Sequence, residues 1–86
     1  MLRSIAEPVS STKKAPKPLV EEVILALCAE QPCTLELLTE LLQRSEGVVR
    51  KDYLQPMIRD KRLRYQYPTM LNHPGQAYIT NREGDV

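Results

Sequence analysis

Seven basic side chains crowd into residues 44–64, against three acidic ones. Arg50 and Lys51 stand together in "SEGVVRKDYLQPMIRDK" (Ser45 to Lys61), which opens like a helix and spaces its apolar residues at helical intervals. Cations along one face of a rod are suited to one task above others: they pair with a row of phosphates and release its counterions. Residues 18–43 carry five Glu and no Lys or Arg, so the chain is divided into acidic and basic halves although its net charge is only +1. Such a division fits a surface that meets a polyanion on one side.

Other chemistries find little material. The two thiols, Cys28 and Cys33, lie five residues apart, and the sole imidazole, His73, is forty residues further on. A metal site needs more ligands than these, and the expectation is reduced thiols with Cys28 as a small core residue. No nucleophile has a paired base, and Glu21 and Glu22 are helix neighbours that face different ways. The chain has three Gly and no Gly-rich phosphate loop. Its longest apolar stretch, "LVEEVILALCA", is broken by two Glu and is too short for a membrane span. "MLRSIAEPVSS" lacks the apolar centre of a signal peptide. The expectation is therefore a non-catalytic, cytoplasmic chain with no cofactor, no membrane association and no small-molecule substrate.

A length of 86 residues sets an upper bound of one small domain with a thin core. Without Trp or Phe, that interior must be filled by Leu and Val. Residues 1–17, with three Lys, a Ser-Ser-Thr cluster and two Pro, read as a flexible basic linker. Residues 18–81 read as the folded domain and 82–86 as a disordered tail.

Within the domain, Val20, Val23, Ile24, Leu27 and Cys28 form one helical stripe, ended by Pro32. Thr34 is the N-cap of a second helix, whose Leu35, Leu37, Leu38, Leu41 and Leu42 make a stripe broad enough to be covered on two sides. Ser45 caps a third helix after a very short connection, giving a helix-turn-helix unit. On that helix Val49, Tyr53, Leu54, Met57 and Ile58 share one half of the wheel, while Val48, Lys51, Asp52, Gln55, Arg59 and Arg62 take the other. Arg50 falls at the apolar edge, where its stem would snorkel. Pro56 costs about 3 kcal/mol in a straight helix interior, so the helix either kinks or divides in two. "LRYQYP" alternates as a half-buried strand, "PTMLNHPG" is a loop over residues 68–75, and "QAYIT" returns as a strand; its pattern alone does not settle whether Tyr78 or Ile79 faces in, and Tyr78 is favoured. Three helices followed by a two-stranded hairpin give an α+β, winged helix-turn-helix arrangement.

In such a unit the first residues of the second helix face base edges. Here these are Ser45, Glu46, Gly47, Val48 and Lys51, with Gln55 on the same outer face. Arg44, Arg50, Arg59, Arg62 and Arg64 are candidates for phosphate contact, and the wing offers Asn72, His73 and Gln76. Each has a plainer alternative. Ser45 serves as a cap, Lys51 is solvated, Arg59 pairs with a nearby carboxylate, and the Asn-His-Pro-Gly run is turn chemistry.

The pattern "S-x-x-x-V-R-K-x-Y-L-x-P-M-I", followed by "Y-P" and "N-H-P-x-Q-A-Y-x-T", resembles the winged-helix module at the C-terminal end of bacterial ATP-binding proteins with a Schlafen-like, divergent AAA domain. Those proteins are described as RecG-like, ATP-dependent DNA helicase-related proteins or transcriptional regulators, and similar modules end some Fic-family proteins. The resemblance spans about residues 19–80 and implies that Pro56 is built into the third helix. It also implies that any ATPase or helicase activity lies in an upstream domain. On this reading the chain binds double-stranded DNA, with the third helix (about 45–60) in the major groove and the wing (68–75) on the backbone. The competing expectation is a protein-interaction module that dimerises, or contacts an upstream ATP-binding domain, through its leucine-rich second helix.

Overall fold

The leucine stripe of residues 35–42 decides how the chain folds, because it must be covered from both sides. In the computed structural model, which describes residues 2–12 and 14–81, it is. Helix α3 (Leu35–Leu42) buries Leu38, Leu41 and Leu42 between an N-terminal helix, α1 (Leu2–Ser10), and the helix of residues 46–59, with α2 (Lys17–Glu30) packed against α1. The reading of residues 1–17 as a linker is corrected here. Leu2, Ile5, Ala6 and Val9 recur at i, i+3, i+4 and i+7, and Ala6 and Val9 are fully buried. Pro8 removes one backbone hydrogen bond in this helix, but it sits on the exposed side and burial of the other face offsets the loss. The proposed tail, residues 82–86, lies outside the described residues.

The expected stripe on α2 is buried in full, from Val20 to Cys28. Pro16 precedes α2 as its N-cap, and Pro18 sits in its first turn. Thr34 caps α3 by accepting from the Leu37 N–H at 3.1 Å. Gln43, in the left-handed region at φ 57°, ends it.

Pro56 takes the second of the two expected forms, in the first turn of a short helix of its own. Ser45 opens α4 (Glu46–Val48), a π segment (Val49–Leu54) follows, and α5 (Gln55–Arg59) completes the rod, with helical dihedrals at both junctions. The Gln55 N–H reaches back five residues to the Arg50 carbonyl. Widening the turn ahead of Pro56 moves the carbonyls its ring would otherwise meet. Burial of Val49, Leu54 and Met57 holds the widened turn in place. Lys61, at φ 65°, then closes the helix: the Arg62 N–H bonds the Met57 carbonyl at 2.9 Å and the Lys61 N–H bonds the Ile58 carbonyl at 3.0 Å.

Strands β1 (Leu63–Tyr65) and β2 (Tyr78–Thr80) pair antiparallel, with Tyr65 opposite Tyr78. Both are shorter than the sequence pattern suggests, because residues 66–77 turn early. The segment ahead of α3 adds a third rung: Cys33 and Tyr78 exchange backbone hydrogen bonds at 3.0 and 2.7 Å. The Thr80 hydroxyl donates to the Leu25 carbonyl at 2.6 Å and ties β2 to α2. A two-stranded hairpin is marginal alone, and these bonds dock it on the helices. Tyr78 is buried, as its strand register requires. The described architecture is thus α+β, helices followed by a small antiparallel hairpin. Among the described residues no helix is long and apolar enough to cross a membrane.

Candidate nucleic-acid interface

The outer face of the 46–59 helix is the barest surface that a regular element presents. Glu46, Gly47, Val48, Arg50, Lys51, Asp52, Gln55 and Arg59 are all exposed on it. Among the described residues, Arg50, Lys51 and Arg59 form no ion pair, and neither does Arg64 on β1. The carboxylate expected beside Arg59, that of Asp60, is taken instead by Arg62 at 3.2 Å. With Lys61 at the rod's end, five cations are therefore left facing solvent next to one rod. Arg50 lies at the edge toward the hairpin. Burial pushes the Tyr78 phenol up from its usual range, Tyr65 adds to the rise, and the Arg50 cation opposes it. Lys17 reaches over the Tyr53 ring, 5.9 Å from its centre, on the rod's other flank.

Three of the expected contact residues are occupied elsewhere. Arg44 bonds backward, its guanidinium donating to the carbonyls of Val9 (3.1 Å) and Thr12, and to those of Leu42 and Gln43. It serves the C-terminal end of α1, where free carbonyls attract a cation. Arg62 bridges Glu21 on α2, at 3.3 Å, and Asp60. Gln76 spends its amide on the loop: Oε1 accepts from the N–H groups of Tyr67 (3.0 Å) and Ala77 (3.2 Å). Its Nε2 donates to the carbonyls of Tyr67, Met70 and Leu71. These three residues are engaged in bonds within the fold, although the Arg62 side chain is 37% exposed.

Ser45 accepts from the Val48 N–H at 3.4 Å and thus acts as a cap. His73 is largely turn chemistry. Its ring stacks on Tyr67 at 4.0 Å, and its Nδ1 accepts from the Gly75 N–H at 2.8 Å. That bond leaves Nε2 as the protonated nitrogen of the neutral ring. Asn72 is exposed. Successive i to i+3 bonds, Met70 to Tyr67, His73 to Met70 and Gln76 to His73, fold the loop as three linked turns. No Lys or Arg occurs between Tyr65 and Asn81. The loop tip instead exposes Met70 and Leu71, each at 57%. The residue patterns gave a polar wing and missed this apolar tip, although "TML" was a visible signal for it.

Cys28 and Cys33 are both buried free thiols. The Cys33 thiol donates to the Gln31 carbonyl at 3.3 Å, and the neighbouring Cys33, followed by burial, pushes the Cys28 thiol up. A buried thiol held protonated, as Cys28 is, is a poor nucleophile. No family model, curated protein or solved structure matches the chain.

Proposed function

We propose that this chain is a winged helix-turn-helix domain that binds duplex DNA, with the 46–59 helix in the major groove. The observation that carries this reading is the contrast in charge partnering. Arg44 and Arg62 are bonded within the fold, whereas Arg50, Lys51, Arg59, Lys61 and Arg64 are left without carboxylate partners around one rod among the described residues. The pairing of Cys33 with β2 supports the winged-helix reading, because it adds a strand between the first two helices of the unit to the wing hairpin. With no cation between Tyr65 and Asn81, the wing's share of phosphate contact falls to Asn72 and the His73 Nε2. Such a domain is non-catalytic. It fits as a module of a larger ATP-dependent, helicase-related protein or of a transcriptional regulator, with any ATPase upstream.

Fluorescence anisotropy with mixed-sequence duplex across a salt series tests the reading. Affinity should fall steeply with salt, and Lys51→Ala and Arg50→Ala should each reduce the log–log slope by about one. Binding that is absent even in dilute buffer would overturn it.

The rival reading, an interaction domain, loses its original surface. The leucines of α3 are covered by α1 within the same chain. It keeps one observation, the exposed Met70 and Leu71. Concentration-dependent association without DNA, abolished by Leu71→Asn, would favour it.

A further inference from the structure

We infer that the 46–59 helix reads thymine, through Val48 against the base's methyl group and through close backbone approach at Gly47. The inference rests on the DNA-binding reading and specifies what that surface recognises.

Gly47 is the starting point. Glycine is a poor helix former, and a helix keeps one for a reason of backbone geometry or of space. Neither applies here. The residue has no left-handed φ, and a Cβ built on it would meet nothing within 4 Å. An alanine would fit the fold, so nothing within the molecule requires the missing side chain, and the bare backbone leaves room for a partner to approach closely.

Its neighbour adds the second observation. Val48 is 40% exposed, and it is the only large apolar side chain of the helices that the described residues leave so open. Lys51 and Gln55 follow at three- and four-residue spacing on the same exposed face, and neither side chain has a hydrogen-bond partner among the described residues. The face therefore carries bare backbone, a branched apolar group, a cation and an amide, with the carboxylates of Glu46 and Asp52 beside them.

Those groups match one edge of duplex DNA. The thymine C5 methyl is the apolar group on the major-groove floor, and adenine offers N6 and N7 to an amide such as that of Gln55. The unpaired cations of Arg50, Lys51 and Arg64 beside the face complement phosphates, which favours a nucleic acid over an apolar protein surface as the occupant. RNA offers uracil, which lacks the methyl, and its deep, narrow major groove is closed to side chains.

The test uses the full chain and two short duplexes, one of alternating A·T and its counterpart with every thymine replaced by uracil. The two share charge and hydrogen-bonding edges and differ only in the methyl groups. At fixed low salt the wild-type chain should bind the thymine duplex about fourfold tighter, the value of burying one methyl at about 0.8 kcal/mol. Val48→Ala should bind both duplexes equally, at the weaker level. Gly47→Ala should raise the melting temperature by about 4 °C yet weaken binding about tenfold. Equal wild-type affinity for the two duplexes overturns the inference and leaves the DNA reading standing. Discrimination that survives in Val48→Ala also overturns it, because the methyl is then sensed elsewhere. Gly47→Ala that binds as well as wild type removes the close approach. Salt-dependent binding to neither duplex overturns the DNA reading itself, and this inference with it.

Discussion

Helix α3 and the 46–59 helix begin and end alike. Each opens on a hydroxyl cap, Thr34 or Ser45, and each ends at a non-glycine residue in the left-handed region, Gln43 or Lys61. Each carries an apolar stripe. They differ in what surrounds them. α3 lies between α1 and the 46–59 helix and leaves little apolar surface open, while the 46–59 helix is covered on one side only. Local signals thus decide where a helix starts and stops, and neighbours decide whether any of it is left for a partner. The same contrast holds for the arginines. Arg44 and Arg50 are six residues apart, yet one is bonded to four backbone carbonyls and the other is exposed with no ion pair.

The largest test of this contrast sets a covered position against a bare one. Leu38→Ala should cost about 3 kcal/mol in urea unfolding, because the site is fully buried. Val48→Ala should stay within about 0.5 kcal/mol. A cost above that range would mean that the outer face of the rod carries packing after all. Next in size, Arg44→Ala should lose about 1.5–2 kcal/mol as the carbonyls at the end of α1 lose a charged donor. The salt slope of DNA binding should be unchanged in that variant; a fall of about one would return Arg44 to the interface. The smallest effect compares the two caps. Thr34→Ala should cost about 1 kcal/mol and Ser45→Ala about half that, because the Ser45 bond is longer, 3.4 Å against 3.1 Å. Equal costs would mean that distance is not what separates them.

Much of the framework was legible in the residues. The stripe of α2, both hydroxyl caps and the breadth of the α3 stripe follow from periodicity and turn chemistry, while the inward register of Tyr78 was a preference that the pattern left open against Ile79. Helix α1 was not read, because Pro8 and the polar cluster that follows outweighed a four-residue stripe at Leu2, Ile5, Ala6 and Val9. The misplacement of Arg44 followed from that, since its partners are the carbonyls of a helix the composition concealed. Arg62 and Gln76 failed for a related reason. Their partners, Glu21 and the Met70 and Leu71 carbonyls, are brought near only by tertiary folding. Pro56 took one of the two expected forms, the first turn of a second short helix, and the π turn ahead of it, which makes room for its ring, was the unread part.

The brace inside the wing has a consequence for how this molecule tolerates change. Because a single carboxamide grips main-chain atoms, the path of the loop is indifferent to the identity of the groups at its tip. Position 76 is then fixed to glutamine, while positions 69 to 72 are free to be refitted for new targets on an unaltered mount.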